Sequence, residues 1–575
     1  MSYFLGITAF HPDSSASLVK DGKILSFVEE ERFSRVKHHC GFPIKSINFC
    51  LNENNIFFND ITSFAINGNK FSSLKEKIFY SIFNFNPNFY INKLISKNSN
   101  TNKFNQKLPS NIKKLYLDHH LCHVASSCYL SDYSDSNFLS VDGFGDFKSS
   151  IYGYYKNDKI YQKGKINFPN SLGIFYHAMT QFVGFNSVGD EYKVMGLSAF
   201  GSNEFEKKLD QIISFNNNQY FLDMSYFNFQ KKELLNVDEN GYPKFGNIFN
   251  EKINDLFGFK QRNKNHKLEE KYINLAYSTQ KVFEKIFFKY LNFTYKDRKS
   301  DNIILSGGCA LNSLATGKIT ENTNYKNVYI CPYPGDQGGA IGAALLANSQ
   351  HSNINFKKYS NLNSNPFMGP KYSDEEILMI LDNYKKNKIK FESLNEDDLI
   401  EKITDLLINK NIIGWFQGRM EAGARALGNR SLIADPRHSD MKDLINKKIK
   451  LREEFRPFAP SVLKKFVKEW FETNDDEIPY MNKVYRIKKD KSVLVPAVVH
   501  KDGTCRLQTV DKNLNELYYK LISNFYEKTK VPMILNTSLN ENEPIVNTPI
   551  EAIDMFLRTD MDYLILNNFL INKTN

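Results

Sequence analysis

Residues 329–347 read YICPYPGDQGGAIGAALLA, which predicts a buried strand, a glycine-rich turn and a helix that starts directly after the turn. The stretch NIILSGGCALNSLATGKI (302–319) has the same order, and its strand ends at Gly307 and Gly308. Glycine lets backbone N–H groups approach a phosphate closely, and the start of a helix favours negative charge. These two stretches therefore predict strand-to-helix turns that can face a nucleotide.

Two strand–turn–strand units lie in the first half of the chain. Residues 3–9 and 15–20 with the hairpin turn at 21–22 form one, and FLSVDGFGDFKSSIYGYYKNDKIYQKGK (138–165) forms the other. A single glycine turn is also typical of ordinary β–α connections, where the reason for it is steric. Four such turns in this order predict a duplicated α/β architecture whose halves face each other across a nucleotide cleft, as in actin-like ATPases and sugar kinases.

The length of 575 residues predicts two large domains, since one hydrophobic core does not extend over so long a chain. Residues 348–366 are polar and rich in Asn and Ser, so we place a linker at 351–366. The first domain is then 1–350. The second is 367–575, a smaller α/β region with a helix at 373–387, a strand at 412–418 and a helix at 549–558.

Composition excludes several classes of protein. A hydrophobic content of 41% excludes wholesale disorder, and no apolar run approaches the ~20 residues of a membrane span. The N-terminus lacks the pattern of a signal peptide, and the seven scattered Cys contain no C-x-x-C motif, so we expect a cytoplasmic protein.

The net charge of +11 is concentrated in one place. Nine Lys and one Glu fall within 70–114, so this segment contributes +8, and it is also rich in Phe and Tyr. Such a segment is typical of a solvated insertion, although it could also attract an anionic acceptor or a membrane surface. We therefore expect no nucleic-acid partner.

His119 and His123 are candidate metal ligands. Residues at i and i+4 lie about 40° apart on one face of a helix, a spacing that permits joint ligation of one metal ion. A third ligand is required, and the candidates in glycine-rich turns are Asp142, Asp146 and Asp336. Such a site suits Fe(II), Zn(II) or Mn(II). The alternative is a pair of histidines that hydrogen-bond within the helix.

Acidic residues at the predicted turns are candidates for proton transfer. Three predicted turns contain such residues: Asp13 with His11 in one, Asp142 in another and Asp336 in the third. One of these residues could accept a proton from an attacking hydroxyl or orient a metal. The alternative is ordinary turn chemistry, because Asp beside Gly is common in turns.

Arginine is scarce and clustered. The chain has 13 Arg among 75 basic residues, and six of them lie between 419 and 456. Arg offers a planar fork for phosphate or carboxylate that Lys lacks, so the cluster predicts an oxyanion site. The alternative is a structural ion-pair network. The clustered residues are Arg419, Arg425, Arg430, Arg437, Arg452 and Arg456. Arg506, Ser538 and Asn540 are possible additions from other loops.

The ordered motifs of this chain resemble those of the nodulation-type O-carbamoyltransferases, which include enzymes that carbamoylate nodulation factors, cephamycins and tobramycin. The resemblance runs nearly end to end. It is carried by EEERFSRVKHH (29–39), DHHLCHVASS (118–127), VDGFGD (141–146), GDEYKVMGLSAFG (189–201), SGGCALN (306–312), PGDQGGAIGAAL (334–345), QGRMEAGARALGNRSLIADPR (417–437), FRPFAPSV (455–462), DGTCRLQTV (502–510) and LNTSLNENEPIVNTP (535–549).

The resemblance implies an actin-like ATPase (ASKHA) N-terminal domain and a C-terminal domain similar to the adenylate-forming enzyme of tRNA threonylcarbamoylation. It also implies a reaction in two steps. Carbamoyl phosphate and ATP give carbamoyl-adenylate in the C-terminal domain, and a hydroxyl of a sugar-like or other small acceptor then takes the carbamoyl group in the N-terminal domain.

The resemblance further implies the site residues and cofactors. The cofactors are ATP with Mg²⁺ and a divalent metal of the Fe(II) type. The metal ligands are His119, His123 and Asp336, and Asp142 meets the acceptor with His11 and Asp13 as further catalytic candidates. The nucleotide in the N-terminal domain is contacted by Gly143, Lys193, Gly307, Gly308 and Asn312. Carbamoyl phosphate and ATP in the C-terminal domain are held by Arg419, Arg425, Arg430, Arg452, Arg456, Arg506, Asn536, Ser538 and Asn540.

The chain departs from the family pattern at two places. Ala424 stands where relatives have Pro before the Arg of G-P-R-A-L-G, which frees the backbone beside Arg425. Pro12 separates His11 from Asp13, whereas many relatives place the two adjacent. Two other functions compete with carbamoyl transfer: an actin-like sugar kinase or phosphotransferase, and a non-catalytic nucleotide-dependent regulator. Neither the acceptor nor the oligomeric state is predicted.

Overall fold

The computed structural model describes residues 2–83, 106–229, 235–384 and 388–574. The chain forms two compact units, Met1–Ser364 and Asn365–Asn575. Of the basic segment 70–114, residues 84–105 lie outside the described residues, which include 70–83 and 106–114. Within the described parts of the chain, no helix has both the length and the apolar character needed to cross a bilayer.

The first unit contains two five-stranded sheets with the same strand order. In each sheet the first strand pairs antiparallel with the second and parallel with the fourth; the second pairs antiparallel with the third, and the fourth pairs parallel with the fifth. The first sheet, in the order β3-β2-β1-β4-β5, consists of β1 (Tyr3–Thr8), β2 (Ser15–Lys20), β3 (Lys23–Glu29), β4 (Ile61–Asn67) and β5 (Lys113–Leu117). The second, in the order β8-β7-β6-β13-β14, consists of β6 (Asp135–Gly145), β7 (Lys148–Lys156), β8 (Lys159–Asn167), β13 (Asn302–Ser306) and β14 (Asn327–Ile330).

This repeated topology is that of the duplicated actin-like ATPase fold, so the fold predicted for the N-terminal part is confirmed. The central strands are apolar on both faces, as parallel strands covered by helices must be: five successive residues of β1 are buried. Two two-stranded ribbons complete the strands of this unit within its described residues. They are β9 (Ile213–Asn216) with β10 (Gln219–Leu222), and β11 (Leu235–Val237) with β12 (Pro243–Phe245).

Helices cover the two sheets. In chain order they are Glu31–Ser34, Ile44–Asn52, Leu74–Phe83, His119–Cys128, Leu172–Phe182, Glu191–Leu197, Glu206–Leu209, Lys252–Phe257, Glu270–Asp297, Ser313–Gly317, Ile319–Asn322, Gly339–His351 and Ser360–Asn363. The helix Gly339–His351 follows the turn predicted at 334–338. It packs closely against the helix His119–Cys128, because a Cβ on Gly342 would lie only 1.8 Å from the carbonyl oxygen of Cys122. This close approach brings the start of one helix to the start of the other.

The residues predicted as a linker belong mostly to the first unit. The helix Ser360–Asn363 lies against the β2–β3 hairpin, where the Asn363 amide accepts from the N–H of Ile24 at 2.9 Å and donates to the carbonyl of Gly22 at 2.8 Å. The boundary between the units therefore falls at 364, later than the predicted end of the first domain.

The second unit is a smaller α/β unit built on one mixed nine-stranded sheet in the order β15-β23-β22-β16-β17-β21-β18-β20-β19. Its strands are β15 (Ile389–Ser393), β16 (Ile413–Phe416), β17 (Arg430–Ala434), β18 (Ala459–Leu463), β19 (Lys483–Arg486), β20 (Thr504–Val510), β21 (Met533–Ser538), β22 (Tyr563–Leu566) and β23 (Phe569–Lys573). Its helices are Asp374–Tyr384, Glu396–Ile408, Met441–Lys448, Val467–Trp470, Lys489–Ser492, Glu516–Thr529 and Pro549–Arg558.

Candidate active sites

Two histidines and two aspartates meet in the first unit. His123 Nε2 lies 3.1 Å from Asp142 Oδ2 and 3.2 Å from Asp336 Oδ1, and His119 Nε2 lies 3.3 and 3.4 Å from the same two oxygens. The two imidazole nitrogens are 3.0 Å apart. The sequence spacing had singled out both histidines and both aspartates. The structure brings all four together.

The cluster is positioned by the ends of three elements. Asp118 caps the helix His119–Cys128 by accepting from the N–H of Leu121, so both histidines leave the first turns of that helix. Asp142 lies in β6, and Asp336 lies in the turn before the helix Gly339–His351.

Asp142 is fixed from behind by two glycine turns. Its Oδ1 accepts from the N–H of Gly143 at 2.8 Å and from the N–H of Gly308 at 3.1 Å, which leaves Oδ2 directed at the histidines. Gly307 has a φ of +83°, and a Cβ there would lie 2.3 Å from the carbonyl oxygen of Val141. Glycine is therefore required at 307 for the turn to approach β6.

These four side chains fit a divalent cation. One ligand atom from each lies within 4.8 Å of the others. Asp336 Oδ1 is buried and makes no hydrogen bond within the described chain, which a cation at this place would remedy. Two imidazoles and two carboxylates suit Fe(II), Zn(II) or Mn(II). The third candidate, Asp146, instead accepts from the backbone N–H of His119 and so orients the helix.

The electrostatics of this cluster are strongly coupled. Burial lowers the pKa of His123, but the nearby carboxylates of Asp142 and Asp336 outweigh burial and raise it to about 10. Burial raises the pKa of Asp142, and the two histidines nevertheless hold it well below its usual range. His11 joins the cluster at one side: its Nδ1 lies 2.9 Å from Asp336 Oδ2, and this carboxylate raises its pKa to about 9 against the effect of burial.

His120 is excluded from the cluster, as the helical spacing predicts. It is fully buried, with Nδ1 3.0 Å from Ser140 Oγ and Nε2 3.1 Å from the carbonyl oxygen of Lys148. Burial is the main cause that lowers its pKa to about 4.

Asp13 does not reach the four-residue cluster. Its Oδ1 lies 2.8 Å from His38 Nδ1, and it belongs to a separate group with His38 and Glu31. The sequence analysis missed His38, although the motif EEERFSRVKHH contains it. Asp13 and His38 are 25 residues apart, so no helix or strand periodicity links them in the sequence.

Two predicted nucleotide contacts are held by neighbours in this structure. The amide of Asn312 exchanges two hydrogen bonds with that of Gln280, at 2.9 and 3.0 Å. Lys193 Nζ lies 2.8 Å from Asp190 Oδ1. Gly143 is different, because a Cβ there would have only one atom, at 4.0 Å, within contact range. Of the predicted nucleotide contacts, Gly143 is therefore the one beside which the backbone has most open space.

Four guanidinium groups cluster in the second unit. Arg506 lies on β20, and its pKa is held well below the usual value by burial first and then by the positive charges of Arg425, Arg452 and Arg456. Its Nε is buried and makes no hydrogen bond within the described chain. Like charges brought together around a buried donor repel each other, so an anion bound there would stabilise this cluster.

Ser538 ends β21 and Asn540 follows it, and a buried lysine links the two residues. Lys450 Nζ donates to the carbonyl oxygen of Ser538 and, at 2.8 Å each, to the carbonyl and side-chain oxygens of Asn540. Ser538 Oγ donates to the same amide oxygen at 2.7 Å. Lys450 is fully buried and was missed from the sequence, because Lys is so frequent in this chain that one more carries no signal.

Asn536, also in β21, lies deeper. Its amide nitrogen donates to the carbonyl of Ala426 at 3.1 Å and to the side chains of Ser461 and Gln508 at 3.0 Å each. Its Oδ1 is buried without a hydrogen bond within the described chain. Asn536 therefore anchors the turn that contains Arg425, and it leaves an acceptor atom unused.

Arg430 has a structural setting. It is fully buried and stacks 3.5 Å from the ring centroid of Phe416, and its terminal nitrogens donate to four backbone carbonyls, of Pro370, Gln417, Gly418 and Asn429. These contacts hold the base of the 417–430 loop. They do not present Arg430 to a ligand, and we propose no ligand contact for it.

Other arginines of the predicted cluster also have protein partners. Arg452 Nε donates to Asn446 Oδ1 at 2.7 Å, and Arg456 Nη1 lies 3.4 Å from Glu453 Oε2. Arg419 Nη1 donates to the carbonyl of Gly369 at 3.2 Å, and Arg437 forms a two-pronged pair with the buried carboxylate of Asp435 at 3.0 and 2.6 Å. The alternative of a structural network therefore holds for Arg430 and Arg437. It does not describe Arg506.

Two family models match this chain. The model of the carbamoyltransferase N-terminus matches residues 3–345, and that of the carbamoyltransferase C-terminus matches residues 404–573. The chain belongs to the carbamoyltransferase family. It is therefore an enzyme that transfers carbamoyl groups, and the resemblance seen in the motifs is confirmed.

Individual relatives agree with this assignment. The nodulation protein NolNO of Sinorhizobium fredii is 33% identical over 98% of this chain and 79% of its own length. The uncharacterized protein sll1178 of Synechocystis is 34% identical over all of this chain and 97% of its own length.

Solved structures show only distant similarity to the carbamoyltransferase chain. Component A of the (R)-2-hydroxyglutaryl-CoA dehydratase of Acidaminococcus fermentans has a TM-score of 0.36 and 14% identity, over 61% of this chain and 99% of that one. A ROK hexokinase of Thermus thermophilus has a TM-score of 0.29 and 11% identity, over 61% of this chain and all of that one.

Proposed function

We propose that this carbamoyltransferase is ATP-dependent and has two chemically distinct sites: it makes carbamoyl-adenylate in the second unit and transfers the carbamoyl group to a hydroxyl in the first. The observation that carries the proposal is the guanidinium cluster around Arg506, whose depressed pKa and unpaired Nε favour a multiply charged anion.

In the first step, carbamoyl phosphate binds through Arg425, Arg452, Arg456 and Arg506. Water releases inorganic phosphate, and an oxygen of the resulting carbamate attacks the α-phosphorus of ATP, so that pyrophosphate leaves. Lys450 presents the loop of Ser538 and Asn540, whose polar atoms supply neutral hydrogen bonds to the same ligands. The product is a mixed anhydride with a good leaving group, whereas free carbamate is a poor acyl donor.

In the second step, an acceptor hydroxyl attacks the carbamoyl carbon, and the bond from that carbon to AMP breaks. His119, His123, Asp142 and Asp336 would hold a divalent metal ion, which supplies polarisation of the carbonyl or charge neutralisation at phosphate when it is bound. Gly143 and Gly308 fix one carboxylate oxygen of Asp142 and leave the other directed at the cluster, where it would hold the metal ion, so the hydroxyl proton passes to solvent.

The proposed acceptor is a hydroxyl of a sugar-like or other small molecule. The ligand of the first unit is a nucleotide that approaches the backbone at Gly143, where the open space lies. The reaction of a sugar kinase of the same fold does not require the guanidinium cluster in the second unit. A non-catalytic regulator has no use for a complete four-ligand cluster.

The test is the identity of the phosphorus product. Purified protein is given ATP, Mg²⁺ and carbamoyl phosphate without an acceptor, with and without Fe(II). We expect pyrophosphate that requires carbamoyl phosphate, and carbamoyl-adenylate visible by mass spectrometry. ADP in place of pyrophosphate would support the kinase, and no turnover under any of these conditions would contradict the proposal. Arg425→Ala should abolish pyrophosphate release with the fold retained, and unchanged release in that variant would also contradict it.

A further inference from the structure

His500 has an unused ring nitrogen beside the guanidinium cluster of the second unit. Its Nε2 is buried and makes no hydrogen bond within the described chain. The pKa of His500 is lowered to about 4, first by burial and then also by the positive charge of Arg506, with the carboxylate of Asp502 opposing them. The ring is therefore uncharged at neutral pH. An uncharged imidazole has one nitrogen that donates and one that accepts.

Strand β20 places His500 and Arg506 on the same side. His500 Nδ1 lies 3.1 Å from Thr504 Oγ1, and the backbone N–H of His500 donates to the carbonyl of Thr504 at 2.8 Å. Thr504 and Arg506 are two residues apart in a strand of regular register, so their side chains leave the same face. Gln508 continues that face and donates at 2.8 Å to a backbone carbonyl of the loop that carries Arg425. The histidine, the buried guanidinium and the arginine loop therefore follow one another along one side of β20.

The hydrogen bonds around Thr504 identify which nitrogen of His500 accepts. Thr504 Oγ1 donates to Asp502 Oδ1 at 2.7 Å, because a carboxylate oxygen can only accept. The hydroxyl has no second proton, so Thr504 Oγ1 accepts from His500, and Nδ1 carries the ring proton. Nε2 is then a bare acceptor. The backbone carbonyl of Phe458, also close to the ring, has no proton to donate to it.

A hydrogen-bond acceptor is what the guanidinium cluster lacks. Arginine and lysine side chains donate and cannot accept. The oxygens of carbamoyl phosphate match such donors, but its NH₂ group is itself a donor and requires an acceptor. Asn540 Oδ1 already accepts from Lys450 and Ser538. Asn536 Oδ1 is a second buried acceptor without a hydrogen bond, on a side chain whose nitrogen is held beneath the loop.

We propose that His500 is a specificity-determining residue of the guanidinium cluster, whose Nε2 accepts a hydrogen bond from the NH₂ group of carbamoyl phosphate. The guanidinium groups hold the phosphate, and the histidine selects the acyl group. An acyl phosphate without this NH₂ leaves the buried nitrogen unpaired and binds more weakly. This inference rests on the proposed function, because it takes carbamoyl phosphate to be the ligand of the cluster.

The experiment is calorimetric titration of the full-length protein with carbamoyl phosphate and with acetyl phosphate, in which CH₃ replaces NH₂. The wild type should bind carbamoyl phosphate about tenfold more tightly or better. His500→Leu should weaken carbamoyl phosphate by about tenfold and change acetyl phosphate by less than about twofold, so that the preference disappears. His500→Gln, whose amide oxygen replaces Nε2 as an acceptor, should keep a preference of about threefold or more. A merely structural role would weaken both ligands alike.

The matched control is His438→Leu, which removes a histidine of the same unit whose Nε2 lies 3.6 Å from Asp435 Oδ2. It should keep the preference of the wild type. Thr504→Val removes the acceptor of Nδ1–H and should lower the preference roughly threefold, which keeps the test decisive if His500→Leu does not fold.

The outcomes separate this inference from the proposed function. Equal binding of the two ligands by the wild type, with both lost in Arg506→Met, would overturn the role of His500 and leave the anion site in place. Parallel losses of both ligands in His500→Leu would overturn it as well, and so would an unchanged preference in that variant. A wild type that binds neither ligand would overturn the proposed function itself.

Discussion

Removal of Arg506 is predicted to stabilise the protein while it abolishes binding of the anion. Arg506 Nε is buried without a hydrogen bond, which costs roughly 1–3 kcal/mol. Each neighbouring guanidinium adds repulsion of about 2 kcal/mol at a separation of ~7 Å and an effective dielectric constant of ~20. Arg506→Met removes both penalties and keeps the aliphatic stem. Because partial exposure and relaxation reduce these values, we expect the free energy of unfolding to rise by about 1–3 kcal/mol.

The assay is thermal and urea-induced unfolding of the protein, with and without carbamoyl phosphate, followed at the transition in which the second unit unfolds. In the wild type, the ligand at about a hundred times its dissociation constant should stabilise by roughly 2.7 kcal/mol. In Arg506→Met, the unliganded protein should melt about 2–4 °C higher per kcal/mol gained, and the shift caused by carbamoyl phosphate should disappear.

The matched control is Arg437→Met, an arginine from the same sequence cluster with the opposite expected sign. Arg437 pairs with Asp435, whose side chain is fully buried, so its loss leaves a carboxylate with much less compensation. We expect this variant to lose about 1–3 kcal/mol and to keep the ligand shift. If Arg506→Met destabilises as Arg437→Met does, or still responds to carbamoyl phosphate, the anion-site reasoning is refuted.

Three further predictions concern the histidines and the buried lysine. His123→Ala should lose stoichiometric binding of Fe(II) or Zn(II), measured by elemental analysis, whereas His120→Ala should keep the metal and lose stability; the reverse pattern would refute the ligand assignment. Lys148→Met should leave the buried Asp118 carboxylate without its ion pair and lower the free energy of urea unfolding by about 3–5 kcal/mol. Because Asp118 caps the helix of His119 and His123, metal binding should also weaken roughly 10- to 100-fold. An unchanged metal titration would contradict the proposed support of the helix cap. Burial is the main cause that lowers the pKa of His500 from its ordinary 6.5 to about 4 in the folded protein. As pH falls, His500 therefore takes up a proton in the unfolded chain before it does so in the folded protein. Stability should therefore be complete above pH ~6.5 and fall toward pH ~4 by at most about 3 kcal/mol, and His500→Gln should flatten that part of an unfolding curve measured against pH.

Motif spacing singled out the four residues that the structure brings together, because each of them lies in a short local pattern. His119 and His123 share one helical face, and the glycine turns at Asp142 and Asp336 mark strand ends that the duplicated topology brings together. The same turns predicted the duplicated architecture, but they did not give the strand order. The pairing of Asp13 with His38 was not predicted either, because it joins two loops whose separation in sequence has no period.

The arginine cluster was predicted only in outline. Composition indicated an anion site, yet it could not separate Arg506, which lies near three other guanidinium groups, from Arg430, whose terminal nitrogens all donate to backbone carbonyls. Arg506 lies on β20, whereas Arg430 begins β17 at the end of a loop shaped by Glu421, whose Oε1 accepts from three backbone N–H groups. Lys450 escaped notice because nothing in the sequence distinguishes a buried lysine from an exposed one.

The most direct test of the two-site account is formation of carbamoyl-adenylate from ATP and carbamoyl phosphate, followed by mass spectrometry in the wild type, His123→Ala and Arg506→Met. The account predicts that His123→Ala still forms the adenylate, because its metal cluster acts only in the transfer, and that Arg506→Met forms none. Adenylate formation that requires His123, or that survives Arg506→Met, would contradict the assignment of one chemical step to each unit.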